Sequence, residues 1–437
     1  MDKILFSGAC IVTMDEERPA SFWGDLLIEG DRIAAVSEKK GTIEKSRAER
    51  VIDGRDLLLM PGMVNTHGHA AMTLLRGYAD DLPLQEWLEK KIWPVEENLD
   101  GDDIYWGTLL AIAEMLKGGT TTFTDMYFFM DRAAEAAAES KIRAVLSRGL
   151  IGMDNGGDMA LQEAVSFQRN WHGAASGRIS VNYGPHAPYT CSPDFLRRVM
   201  DEADKTESAL QIHIAETARE VADCRRDYGC TPVEHLYRLG LFERRIIAAH
   251  CVHLDDEDIR ILAEKKVGVA HNPGSNLKLG SGIAPVSRLL DAGITVGLGT
   301  DGASSNNNLD MLEEMRLAAL LAKGSTMSPT LIPAREALQM ATVKGADLLG
   351  LDGLGVLKEG FKADLAALNL RTAQATPFFE PASYVVYAAT ASHTRFVIVD
   401  GEILLDEGRL TGIDEERVIA ECTRRAERLT GRNLGRA

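Results

Sequence analysis

Eight short apolar runs, separated by stretches of helical period, constrain this chain more than any other feature. They are "MPGMVNTHGH", "GTTTFTDMY" (119–127), "IRAVLSRGL" (142–150), "RISVNYGPHA" (178–187), "ALQIHIAE" (209–216), "RIIAAHCVHL" (245–254), "KVGVAHNP" (266–273) and "ITVGLGTDG" (294–302). Intervening pieces such as "DDIYWGTLLAIAEMLKGG" and "SPDFLRRVMDEADK" carry 3.6-type spacing and begin at Asp or Ser caps. Alternating strands and helices imply a parallel sheet, and eight of them predict an α/β chain with a (β/α)8 TIM-type barrel over residues 59–361. The ends read differently. "KILFSGACIVTM", "GDLLIEGDRIAAVS" and "ERVIDGRDLLLMPG" are short strands broken by Gly and Asp turns, and the texture returns in "KADLAALNL" and "ASHTRFVIVDGEILLDEGRL". Either end alone would make a poor core. Residues 1–58 and 362–437 are therefore expected to share one small β-sandwich domain, the second piece adding a C-terminal helix.

In such a barrel chemistry sits where the strands end. The runs end at His67 and His69, Asp125, Arg148, His186, His213 with Glu216, His250, His271 and Asp301. One satisfied core histidine is common, but titratable groups at all eight ends are not explained that way. In an extended strand His67 and His69 point to one side and can share a cation. His67, His69, His213 and Asp301 make a donor set suited to Zn²⁺ or Fe²⁺, with room for a water whose pKa would fall from ~16 towards ~7. Gly299 and Gly302 would let backbone approach a crowded site there.

Glu216 lies three residues beyond His213, so both face one site only if the strand ends near Ala215 and the chain turns. It would then act as proton shuttle, with His250 polarising the attacked bond or orienting the hydroxide. Glu96, Arg148 and His186 are specificity candidates, able to grip a diol, a carboxylate or a hydroxyl. Trp87 and Trp93, in "LQEWLEKKIWPVEEN", read as helical packing in a stretch from which a site cover would come. His271 is expected to line the pocket or support it, and His253 to lie in a loop or at the surface.

Composition narrows the class. The formal net charge of −17 comes without any long Lys/Arg run, so no nucleic-acid partner is expected. Cys10, Cys191, Cys224, Cys230, Cys251 and Cys422 form no CxxC pair, which argues against a zinc ribbon or disulfide framework and for a cytoplasmic setting. No signal peptide or membrane span is evident, because no apolar stretch reaches about 18 residues.

With these residues in view, the chain resembles the amidohydrolase superfamily. Within it, the chain resembles the 5-methylthioadenosine/S-adenosylhomocysteine deaminases, with triazine chlorohydrolases and guanine deaminase as relatives. The resemblance rests on "PGMVNTHGHAAMTLLRG", "DLPLQEWLEKKIWPVE", "TTFTDMYF", "GPHAPYTCS", "HIAETARE", "AAHCVHL", "AHNPGSNLKLGSGIAPV" and "GLGTDGASSNNNLDM", which cover most of residues 55–320. It implies that His67, His69, His213 and Asp301 hold one divalent metal per subunit, zinc or alternatively iron. It also implies Glu216 and His250 as the proton-transfer pair, Asp301 as acceptor of the water's proton, and Glu96, Arg148, His186 and Glu216 as substrate contacts. The implied reaction is hydrolytic deamination of an adenine nucleoside bearing a 5′-thio substituent, in a homo-oligomer, with release of ammonia. The competing reading is deamination or dechlorination of another heterocycle: guanine, 8-oxoguanine, a pterin or an s-triazine. The cytidine-deaminase type of zinc enzyme is excluded, since its H-x-E and P-C-x-x-C signature is absent.

Overall fold

The structure, a computed structural model, describes residues 3–153 and 157–435. Eight parallel strands form one sheet in chain order. They are β1 (Met63–Asn65), β2 (Thr120–Tyr127), β3 (Arg143–Leu150), β4 (Ile179–Pro185), β5 (Leu210–Ile214), β6 (Ile246–His250), β7 (Gly268–His271) and β8 (Val296–Leu298). Nearly every residue in them is buried, as befits strands covered on both faces. The seam between β1 and β8 is short. Thr66 N–H and Oγ1–H both reach Leu298 O (2.9 and 2.8 Å), and Asn65 and Thr300 exchange two further bonds, which brings the sheet round on itself. The expected (β/α)8 barrel is therefore present.

Every strand is shorter than its apolar run. β1 ends at Asn65, so His67 and His69 lie beyond it rather than within a strand. β6 ends at His250 because His250 and Cys251 are left-handed (φ +72° and +49°), which no strand accommodates. Helices start and stop where capping chemistry dictates. α1 (Gly101–Gly118) opens on a reciprocal Asp100–Asp103 box and ends at Gly119 (φ +92°). α2 (Ala218–Tyr228) opens on Thr217, α3 (Met311–Thr326) on Asp310 and α4 (Glu415–Thr430) on Asp414. No helix among the described residues is long and apolar enough to cross a membrane.

The two ends of the chain build one nine-stranded mixed sheet. Leu57–Pro61 pairs parallel with Lys3–Ile11 and antiparallel with Leu365–Asn369, so the N- and C-terminal pieces meet inside the sheet and not at its rim. Phe6 and Phe396 sit three ladder steps apart, ~14 Å in a flat sheet. Their rings nonetheless meet edge-on at 5.9 Å. The sheet curls over its own apolar core, which gives the sandwich-like unit expected from the sequence. A buried ion cluster fastens it to the barrel. Arg143, at the start of β3, donates to Asp364 (2.9 and 3.1 Å) and Asp400 (2.9 Å).

Candidate active site

Strand ends β1, β5, β6 and β8 bring five of the expected residues into one buried cluster. The ring centroids of His67 lie 5.1 Å from His69, 4.8 Å from His213 and 5.4 Å from His250. Oδ1 of Asp301 stands 3.5 Å from His67 Nε2 and 3.3 Å from His69 Nε2. Two donors about 2.1 Å from a tetrahedral ion stand ~3.4 Å apart, so these spacings suit ligands of one cation better than a hydrogen bond. The chemistry agrees. His67 Nε2 is buried with no hydrogen-bond partner, and donor atoms of His67, His69 and His213 all lie within 4.8 Å of one another.

Each imidazole is held from behind. His69 Nδ1 lies 2.6 Å from Met126 O and His213 Nδ1 2.6 Å from His186 O, so both donate from Nδ1 and leave Nε2 free. His67 Nδ1 meets the Gln211 side-chain amide at 2.7 Å. The amide oxygen, which has no other partner, fits that contact once the amide is turned over. Burial, opposed by Asp301, holds His67 at about 4, so the ring is uncharged at neutral pH. Burial also takes His213 well below its ordinary value. For Asp301 burial acts upward, but the His67 contact and the surrounding rings outweigh it and hold the carboxyl low. Ser275 and Ser305 donate to its Oδ2 (2.6 and 2.8 Å), which leaves Oδ1 facing the histidines.

Backbone strain concentrates at the same strand ends. Ala215 (φ +52°), His250, Cys251 and Asp301 (+59°) are left-handed without being glycine, a cost of roughly 1–2 kcal/mol each. The turn at Ala215 is the one the sequence demanded of His213 and Glu216. It brings Glu216 Oε2 to 3.8 Å from His250 Nε2, while Asn276 Oδ1 accepts from His250 Nδ1 at 2.8 Å. Burial raises Glu216. In His250 burial acts downward, but the Glu216 and Asp301 carboxylates prevail and raise it, so the pair titrates as a unit. Gly299 is where backbone closes on the site: a Cβ there would stand 2.9 Å from His67 N and O.

A cavity opens over this cluster, lined among others by His69, Trp87, Trp93, Glu96, Tyr127, His186, His213, Glu216, His250 and Asp301. Trp87 and Trp93 thus wall the cavity as well as packing. They flank a π-turn at Leu88–Ile92, a distortion frequent at functional sites. Burial pushes the Glu96 carboxyl up despite a hydrogen bond from Tyr127 Oη. His186 lines the cavity, its Nδ1 2.9 Å from Thr190 Oγ1. Arg148 is not brought to the cluster. It lines an adjoining outer chamber, paired with the exposed Glu163 at 3.0 Å and set over the Phe128 ring. His271 is buried but does not line the cavity, and His253 is half-buried with Nε2 2.7 Å from Ser281 O. Sequence reasoning missed Gln211, Tyr127, Ser275, Asn276, Ser305 and Glu220. Only the alternation of Gln211 with His213 along β5 could have signalled one of them.

The model of the amidohydrolase family matches residues 58–404. A 5-methylthioadenosine/S-adenosylhomocysteine deaminase from Pelotomaculum thermopropionicum is 51% identical over 99% of this chain and 100% of its own. The chain belongs to the amidohydrolase family. As an amidohydrolase it superposes on a zinc-bound adenosine deaminase from Xanthomonas campestris with a TM-score of 0.93, at 35% identity over 98% of this chain and 99% of that one. An atrazine chlorohydrolase variant from Arthrobacter aurescens, complexed with zinc and atraton, gives 0.90 at 27% identity over 97% and 100% of the two chains. The family is one of metal-dependent hydrolases, and two overlapping donor groups, His67 with His69 and His213 and His67 with His250 and Asp301, mark the candidate metal site in this chain.

Proposed function

We propose that this amidohydrolase deaminates adenine nucleosides carrying a 5′-thio substituent, such as 5-methylthioadenosine and S-adenosylhomocysteine, to the inosyl product and ammonia. The observation that carries the reading is Glu96. A half-buried carboxyl on the wall of the cavity that also contains Glu216 and Asp301 gives a ribose diol its acceptor, which a bare heterocycle does not need. The 51% identity to a deaminase of this name supports it.

One zinc ion held by His67, His69, His213 and Asp301 would supply an acidified water, its pKa lowered towards ~7. The residues do the rest. Asp301, tethered by two serines, would accept the proton released as the water adds to C6 of the ring. Attack places charge on N1, and Glu216, raised by burial, holds the proton that N1 needs. His250, fixed by Asn276, would keep the attacking oxygen oriented. As the C6–N bond breaks, Asp301 would pass its proton to the departing amino group, which leaves as ammonia, and the remaining hydroxyl proton would return to Glu216. His186 would bound the ring, and Arg148 with the outer chamber would receive the 5′ substituent. Six buried free cysteines suit a reducing, cytoplasmic compartment.

The test is turnover of the zinc-loaded protein on 5-methylthioadenosine, S-adenosylhomocysteine, adenosine and guanine, read as ammonia release and loss of adenine absorbance. Faster turnover of the thio-nucleosides than of adenosine supports the proposal. Activity on guanine alone removes the ribose role of Glu96.

A further inference from the structure

The turn after β5 has its hydrogen-bond acceptors and donors satisfied in different ways. Ile214 O accepts from Cys251 N–H (3.0 Å), and Ala215 O accepts from the N–H groups of Val252 (3.1 Å) and His253 (2.9 Å). Its two donors are taken by one side chain. Glu220 Oε1 accepts from Ala215 N–H at 2.9 Å and Oε2 from Glu216 N–H at 2.8 Å. Glu220 is 4% exposed, so both bonds are shielded from water. It sits third in α2, and Thr217 Oγ1 accepts from its N–H at 3.2 Å. In a capping box that glutamate would return to the N–H of the cap residue itself. Here it reaches past Thr217 to the two residues before it. The carboxylate thus fastens the strained Ala215 peptide and the peptide that carries Glu216, more than the helix end.

A second brace lies on the far side of Glu216. Ser281 Oγ stands 3.5 Å from Glu216 Oε1, and Ser281 O meets His253 Nε2 at 2.7 Å, while His253 N–H holds Ala215 O. Glu216 is gripped through its backbone by Glu220 and through its carboxyl by Ser281.

We propose that Glu220 is a positioning residue, whose buried carboxylate pins the N–H groups of Ala215 and Glu216 and thereby sets where the Glu216 carboxyl stands against the reacting ring. The inference rests on the proton-transfer role proposed above for Glu216. Loss of the clamp would let the left-handed turn relax towards extended backbone and swing Glu216 off target, and a displacement of 1 Å at a reacting group costs on the order of 100-fold in rate.

The test uses the metal-loaded full chain with Glu220→Gln, in which one acceptor becomes a donor facing an N–H, and with Glu220→Asp, one methylene short. Each is measured for bound metal, thermal midpoint, kcat, KM and affinity for a nucleoside analogue tetrahedral at ring position 6. The expected result is full metal content, KM within about 2-fold, and kcat and analogue affinity both down ~10–100-fold. A double-mutant cycle with Glu216→Gln separates positioning from a general structural role. Acting through Glu216, Glu220→Gln adds nothing further to kcat in that background. Additive losses, an unchanged kcat, or a fall in kcat matched by loss of metal would overturn the proposal. Should the wild type hydrolyse another heterocycle and no adenine nucleoside, the substrate reading falls, and the same cycle on that heterocycle still decides the role of Glu220.

Discussion

The two ends of the barrel hold buried charge in opposite ways. At the N-terminal end Arg143 is closed against Asp364 and Asp400, every strong bond accounted for within one cluster. At the C-terminal end His67 Nε2 has no hydrogen-bond partner, Asp301 Oδ1 faces imidazoles at 3.3–3.5 Å, and four non-glycine residues are held left-handed. Closed charge fastens the small sheet to the barrel. Open charge, kept in place by strain and by hydrogen bonds from behind, is ready for a ligand.

The largest break in this comparison is expected from Glu216→Gln. It keeps shape and removes the proton, so kcat should fall ~100- to 10,000-fold with metal content and thermal midpoint unchanged. Loss of metal instead would make Glu216 a structural residue. Arg143→Ala should do the reverse. Asp364 would be left buried without its counter-ion while Asp400 keeps Lys362 at 2.9 Å, a loss of ~3–5 kcal/mol in denaturant unfolding, with kcat of the folded enzyme preserved. Were Arg143→Ala to lower kcat at constant stability, the two ends would not be independent.

That division also explains what the sequence disclosed. The barrel was legible because apolar period and capping residues are local signals, though the strands stop short of their apolar runs, and His213 with Glu216 marked where a turn had to fall if both faced one site. The supports were not legible. Gln211 lies 144 residues from His67, and Ser275 reaches Asp301 from the short helix Pro273–Lys278, 26 residues back in the chain, so their partners are not marked locally; Ser305, four residues from Asp301, gives no periodic signal of its own. The spacing of His67 and His69 pointed to a shared face for a strand reason, although β1 stops at Asn65; beyond the strand the two rings still meet, their centroids 5.1 Å apart. Arg148 stood at a strand end like the others, yet Glu163, fifteen residues on in the chain, draws its guanidinium to the outer chamber.

A smaller effect sharpens the boundary between reaction and recognition. Tyr127 is buried and donates to Glu96, whose carboxyl is the proposed diol acceptor. Tyr127→Phe removes one hydrogen bond to a charged group, ~1.5–3 kcal/mol at most. KM for ribose-bearing substrates should rise ~10-fold with kcat nearly unchanged, because the diol is bound alike before and during reaction. An equal fall in kcat would place Tyr127 with the open charges.

The smallest effect asks whether closure or location separates the two ends. Asp103 is buried in the first turn of α1, a helix that starts at the same end of the barrel as the site, yet its charge is closed. Its carboxylate accepts from Arg425 at 3.0 Å, from Arg428 and from Asp100 N–H at 2.9 Å. Burial acts to raise this carboxyl, but the two guanidiniums and the Asp100 N–H prevail and hold it below its ordinary 3.8. A carboxyl depressed in the folded state stabilises above its unfolded value and loses that contribution as the pH falls through the folded one. Docking of α4, which carries Arg425 and Arg428, should therefore be constant from pH 7 to about 5 and weaken below about 4, by ~1 kcal/mol or less given the exposure of Arg428. Protection factors of residues 415–430, taken at pH 6 and pH 3 against the intrinsic exchange rate at each pH, read it, and an Arg425→Leu variant, with that ion pair gone, should show a smaller pH difference. Lower protection at low pH with kcat/KM unaffected by Arg425→Leu would mean that closed charge is structural even beside the site. A change in kcat/KM would mean that location matters, and that α4 reaches the reaction through α1.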